Sequence, residues 1–156
     1  MLKISIQKEA SQDIVFFEGP IDENCGEALN GLHGQVGNKV VLNFRKLEYV
    51  NSLGIRNWIN FLINFEEGRD VTFDDCPSDV IMQINMVPKF VGSCKVKSFF
   101  GNFSCESCGH EMEVNFSADE SQDDLIEKSS NIQCEKCQAI MEFEEDADSY
   151  FEFLAG

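Results

Sequence analysis

The stretch YVNSLGIRNWINFL, residues 49–62, begins as a β-strand and ends as an α-helix, with Ser52 at the join. From Leu53 onward, Leu53, Ile55, Trp58, Ile59, Phe61, Leu62 and Phe65 form a broad apolar stripe at helical spacing, the pattern of a helix that packs along one side. Just before it, KVVLNF (39–44) is an unbroken apolar run of strand length, as expected for a central strand covered on both faces. A strand that feeds an amphipathic helix in this way is a building unit of an α/β layer. Ser52 stands where a helix needs its cap, and its hydroxyl is predicted to accept a backbone N–H there, worth about 1 kcal/mol.

The flanks extend the same pattern. LKISIQK (2–8) alternates Leu2, Ile4 and Ile6 with polar residues, and DIVFFE (13–18) follows after a polar connection, so the pair reads as two hairpin strands. Asp22 is predicted to cap a helix over 23–33. Gly68 closes the helix that begins near Ser52, and VTFDDC (71–76) reads as a strand. Pro77-Ser78-Asp79 opens a third helix bearing Val80, Ile81, Ile84 and Val87, and CKVKSFF (94–100) alternates as a last strand. The order β-β-α-β-α-β-α-β predicts an α/β unit over residues 1–100, a sheet with helices packed on it.

The remainder, residues 101–156, has a different texture. Residues 1–98 carry a net charge of −3, whereas residues 99–156 carry −13. Such asymmetry marks two surfaces of different character, and it argues against nucleic-acid binding, which rests on Lys and Arg displacing counterions. Two Cys-x2-Cys segments, Cys105/Cys108 and Cys134/Cys137, are separated by 25 residues, and each is followed by an apolar-acidic run. Two such turns can close a tetrahedral site from opposite sides, and hairpin-forming flanks favour a zinc ribbon over an iron–sulfur cluster or a thioredoxin-like redox pair. Four thiolates leave no open position, so the zinc, one per chain, is expected to be structural. His110 reads as a turn residue rather than a ligand. Cys25, Cys76 and Cys94 are scattered through predicted elements and read as small buried hydrophobes. The spacer SADESQDDLIEKSSN (117–131) reads as a loop or short frayed helix, and the aromatic tail around YFEFL (150–154) is too apolar for a purely solvated end, with its docking left open.

The bulk numbers agree with one domain plus a small module. Of 156 residues, 43% are hydrophobic and fourteen are Phe, enough for a real core. No run of 18 apolar residues occurs, so no membrane insertion is expected. The start MLKISIQKEASQDIVFF has no basic n-region and apolar h-region, and seven cysteines without an export signal indicate reduced thiols and a cytoplasmic setting.

Residues 39–65, together with IVFFEGPIDENCGEAL (14–29), resemble the STAS family, the fold of bacterial anti-sigma-factor antagonists. Members typically show an apolar strand, a short polar link, an apolar or aromatic pair, then Asp-Ser-x-Gly-Leu opening a helix. Here the match runs VVLNF, RKLEYV, then Asn51-Ser52-Leu53-Gly54-Ile55, while GPIDENCGEAL (19–29) and VTFDDCPSDVIMQINMVP (71–88) resemble the family's neighbouring segments. The ribbon lies outside the usual family pattern. The resemblance implies a non-enzymatic signalling protein that docks a regulatory partner, an anti-sigma kinase or similar, through Asn51, Ser52, Leu53 and Gly54, with Ser52 as the phosphorylated residue. Asn51 replaces the usual Asp, removing a charge that kinase recognition could use. Capping alone and capping plus phosphorylation both remain open for Ser52. The resemblance also allows an accessory subunit of a lipid-transport ATPase complex, and a homodimer. An enzyme is poorly supported: the chain has no phosphate-cradling glycine loop, no nucleophile–base arrangement and only two histidines.

Overall fold

In the computed structural model, residues 1–155 are described. β1 (Lys3–Lys8) pairs antiparallel with β2 (Asp13–Ile21), and β3 (Lys39–Val50), β4 (Asp70–Asp74) and the two-residue β5 (Lys95–Val96) continue in parallel, giving the order β1-β2-β3-β4-β5. The crossovers carry α1 (Gly26–Leu32), α2 (Ser52–Phe65) and α3 (Ser78–Met86), the last followed by a 3-10 turn at Pro88–Phe90. The expected α/β unit with a mixed sheet and helices is present.

Its core follows from the two periodicities. Val15 and Phe17 of β2, Val40, Leu42 and Phe44 of β3, and Val71 and Phe73 of β4 are buried at every second position. Into them α2 presents Trp58, whose ring lies 5.6 Å from Phe17 and Phe44 and 5.9 Å from Phe73. The indole N–H donates to the Phe90 carbonyl at 2.8 Å, so this large side chain is buried with its one polar atom satisfied. The opposite face of β3 departs from the expected double cover. Val41 is only half-buried, as are Ile14 and Phe16 beside it on β2, and Asn43 donates to Asp75 at 3.0 Å.

Two further boundaries differ from expectation. The first helix begins at Gly26 rather than 23, because the Asp22 carboxylate accepts from the Asn24 N–H at 2.9 Å and closes a turn before the helix starts. The expected last strand, 94–100, is two strands. After β5 the chain enters β6 (Ser98–Ser104), which pairs antiparallel with β7 (Glu111–Ser117) and with β8 (Glu142–Phe143) in a second, three-stranded sheet. The alternation of CKVKSFF shifts by one residue at this transfer: Val96 is half-buried at an even position, whereas Phe99, Gly101 and Phe103 are buried at odd ones.

The expected boundary at residue 100 therefore falls inside β6. Cys76 exchanges backbone hydrogen bonds with both sides of that strand's start, donating to Ser98 O at 3.1 Å and accepting from Phe100 N at 2.8 Å. The spacer forms α4 (Gln122–Ser129), whose cap Ser121 accepts from the Asp124 N–H. The aromatic tail docks. α5 (Ala147–Tyr150) and a 3-10 turn (Glu152–Ala155) bring Tyr150, Phe151 and Phe153 within 6.2 Å of the Phe99 ring. The Tyr150 hydroxyl donates to Phe100 O at 2.5 Å, and Asn85 of α3 donates to Tyr150 O at 3.0 Å. Buried residues from Leu2 to Phe151 thus join in one cluster rather than two separate cores.

This continuity makes Phe151 a test position. Phe151→Ala empties a fully buried site and is expected to cost about 4 kcal/mol. Trp58, the single tryptophan, lies in the other sheet's core, and its fluorescence should report the same, single, lowered denaturation midpoint. A Trp58 transition unmoved by the substitution would mean that the two halves unfold separately.

Candidate functional site

The strand-to-helix join is built by close backbone contact. The Asn51 N–H donates to the Ile21 carbonyl at 3.1 Å, tying the end of β3 to the end of β2. Gly54 then lies directly against that carbonyl, where any Cβ would overlap the Ile21 oxygen. Only glycine lets α2 start here. Asn57, one turn on, donates to the Asp22 carbonyl at 3.2 Å and fixes the helix against the chain that follows β2.

The cap is Asn51, not Ser52. Asn51 has extended backbone angles, its Oδ1 accepts from the Gly54 N–H at 2.8 Å, and its Nδ2 donates to Glu23 Oε2 at 2.9 Å. This bond from Asn51, with a backbone N–H of Glu23 itself, holds the Glu23 carboxyl below its ordinary range. An aspartate at 51 could cap equally well but would face the Glu23 carboxylate with a second negative charge, which accounts physically for the amide. Ser52 occupies the first helical position and is exposed. Among the described residues its hydroxyl has no hydrogen-bond partner. Leu53 is 57% exposed and Tyr49 is 45% exposed, so apolar surface flanks the serine. The expected cap, Ser52, is displaced by Asn51, since Asn and Ser rank alike at that position; of the four residues expected to dock a partner, Ser52 and Leu53 are exposed, Asn51 is half-buried and Gly54 is buried against Ile21.

The four cysteines converge. The sulfurs of Cys105, Cys108, Cys134 and Cys137 all lie within 4.8 Å of one another, with Cys105 to Cys137 at 3.4 Å and Cys108 to Cys134 at 3.6 Å. Four thiolates each about 2.3 Å from one ion stand roughly 3.8 Å apart at tetrahedral angles, so the cluster fits a four-sulfur metal site. The two turns are near copies. Cys105 N–H donates to His110 O and Gly109 N–H to Cys105 O; Cys134 N–H donates to Ala139 O and Gln138 N–H to Cys134 O, all at 2.8 Å. Each turn passes through a left-handed residue directly after its second cysteine, Gly109 at φ 77° and Gln138 at φ 66°.

The same turns prepare the sulfurs electrostatically. The N–H groups of Cys137 and Lys136 draw the Cys134 thiol down to about 6, and the Cys108 N–H lowers Cys105. Cys108 and Cys137 receive comparable help from the His110 and Ala139 N–H groups, but desolvation and the neighbouring sulfurs outweigh it and raise both. Four thiolates at this spacing need a cation between them. His110 is no ligand: its Nε2 meets Glu135 Oε1 at 2.8 Å and joins one turn to the other. That link spans 25 positions, and nothing local in the sequence signals it. Cys25 and Cys76 are buried as expected, whereas Cys94 is half-buried and donates to Glu66 Oε2 at 3.3 Å.

Compared with known proteins, the chain matches no family model, and no curated protein matches it significantly.

Two sets of substitutions follow from this geometry. Asn51→Ala should cost about 1 kcal/mol by removing the cap, while Ser52→Ala should stay within about 0.5 kcal/mol of the parent; denaturant melts of the two variants separate the roles. In the second cysteine turn, a left-handed glutamine stores backbone strain of about 1 kcal/mol that glycine would not. Gln138→Gly should therefore raise the stability of the metal-loaded chain, and Gly109→Ala should lower it by about 1 kcal/mol, since no neighbour lies within 4 Å of an added Cβ.

Proposed function

We propose that this chain is a non-enzymatic signalling protein of the STAS type, akin to anti-sigma-factor antagonists, that binds a regulatory protein partner through the start of α2. The observation that carries the reading is the exposed Ser52, its hydroxyl uncommitted because Asn51 caps the helix, set between exposed Tyr49 and Leu53. Apolar side chains at the rim supply area for docking, and the serine lies at their centre as a switch. Phosphorylation there adds a charge of about −1.5 to −2. A helix N-terminus tolerates that anion, so the fold survives, while a partner pressed on the same surface must desolvate the charge. The motif resemblance and the α/β sheet order support this reading, and Asn51 in place of Asp moves the negative charge of the join to Glu23.

The four cysteines are proposed to hold one zinc ion. Bound by four thiolates, it supplies cross-linking of the two turns rather than Lewis-acid chemistry, because no coordination position is left for substrate. Cys105 and Cys134, both buried, face the protein; Cys108 and Cys137 lie at the surface.

Elemental analysis of the purified chain should return one zinc per molecule; iron, or no metal, would overturn this assignment. For the docking site, a protein partner isolated from native lysate by pull-down on the parent chain should bind Ser52→Asp at least tenfold more weakly in titration, with unchanged or slightly raised stability because the charge suits the helix dipole. Ser52→Ala should bind as the parent does. Equal affinities for all three proteins would exclude the start of α2 as the docking surface.

A further inference from the structure

α3 buries Val80, Ile81 and Ile84 and turns two methionines outward. Met82 and Met86 stand about one turn apart on the same side of the helix, 41% and 70% exposed. They line a shallow groove of about 290 Å³ that α3 forms with residues 145–152, where Glu145, Asp146 and Glu152 make up the acidic side. Its walls are tied together, since Asn85 of α3 donates to the Tyr150 carbonyl at 3.0 Å. The groove is smaller than most small-molecule sites, which measure about 300–1,000 Å³, and suits apolar side chains of a larger partner. The charge around it fixes the sign of that partner. Residues 142–152, EFEEDADSYFE, carry six carboxylates and no Lys or Arg. Among the described residues, none of Asp79, Glu144, Glu145, Asp146, Asp148 and Glu152 has an ion-pair partner. Lys89, three positions past Met86, pairs with none of them. Partial burial, together with the charges of Glu144 and Asp79, raises the Glu145 carboxyl above its ordinary range. Like charges therefore crowd here with no cationic side chain between them. Nor do they gather on one point: among the described residues only the four cysteines come close enough together to share an ion.

We infer that this groove docks a basic amphipathic helix of a protein partner, its apolar stripe on Met82 and Met86 and its Lys or Arg side chains on Glu145, Asp146 and Glu152. An apolar row and an acidic row lying side by side call for a partner with two adjacent stripes. A helix presents them along its length, whereas a strand sends alternate side chains to opposite faces. Methionine suits the apolar row, because its unbranched side chain adapts to the anchor that arrives. Nucleic acid and anionic lipid surfaces carry the wrong sign. The groove shares no residue with the start of α2, and the inference does not rest on the reading proposed for that site.

The full-length, metal-loaded chain can be titrated, by fluorescence anisotropy, with a labelled helical peptide of about 15 residues made of Leu and Lys, Leu standing at i, i+3, i+4 and i+7. One control peptide scrambles the order and so loses the stripe; the other carries Glu in place of Lys. Saturable binding of the first peptide is expected, at least tenfold tighter than of either control. Met82→Ser combined with Met86→Ser should weaken it at least tenfold while the Trp58 melting transition is retained. Glu145→Gln, Asp146→Asn and Glu152→Gln combined should do the same, and either variant serves alone should the other not fold. Glu18→Gln, Glu67→Gln and Asp123→Asn together remove as much charge elsewhere and should bind as the parent does. Absence of saturable binding, equal binding of the scrambled peptide, or undiminished binding by a folded groove variant would each overturn the proposal. So would an equal loss when the charge is removed elsewhere, which would mark a general attraction to an acidic chain.

Discussion

Gly54 lies against the carbonyl oxygen of Ile21 so closely that the backbone of α2 and the end of β2 are in direct contact. Much of the first sheet's geometry depends on that approach. It sets the height of α2 above the sheet, and so the depth at which Trp58 enters between Phe17, Phe44 and Phe73. It also fixes where the helix can begin. With residue 54 pinned and Asn51 N–H bonded to the same carbonyl, positions 51–53 have their roles assigned: Asn51 turns inward to cap, while Ser52 and Leu53 face water. An exposed serine beside an exposed leucine is thus a product of backbone packing, and the proposed docking surface inherits its rigidity from the core beneath.

The cysteine centre solves a different problem. The three-stranded sheet has only β6, β7 and the two-residue β8, too little to hold two long excursions in place by strand pairing alone. The paired turns, the His110–Glu135 link and the aromatic stack of Phe103 on Phe143 at 4.8 Å share that task. Gly101 is part of it, since a Cβ there would come within 2.9 Å of both the Phe116 and Phe143 rings. Backbone N–H groups around Cys105 and Cys134 favour their thiolates, so the turns are shaped for a cation by the peptide as well as by the sulfurs.

What could be read from the sequence divides along the range of the interaction. The strand over 39–44 and the stripe from Leu53 to Phe65 were legible because each element declares its own period. The four metal-ligating candidates were legible because Cys-x2-Cys is a local spacing. The cap was assigned to Ser52 rather than Asn51 because two residues of equal capping strength stand side by side, and only the contact of Gly54 with Ile21, 33 positions away, decides between them. The split of 94–100 into β5 and β6 left only a one-residue shift of the alternation between Val96 and Phe99, too small a mark in so short a stretch to separate two strands. The docking of Tyr150 and Phe151 left only a composition signal, since their partners Phe99, Phe100 and Asn85 lie about 50 to 65 positions earlier.

The passage of β6 from one sheet into the next also orders events during synthesis. The first sheet and α2 emerge and can collapse early, because their strands are joined by short crossovers. The outer side of α3 and one side of the Phe99 ring, whose other neighbour is Phe116, stay open until residues 147–155 have been made, for Tyr150 and Phe151 close over them. Contacts of such long separation form late and carry the entropy of a large loop. In that interval the nascent chain presents aromatic surface and the unpaired edge of β6, the features that recruit chaperones or invite association with neighbours. The strand that unites the finished molecule is, while the chain is still growing, its most vulnerable segment.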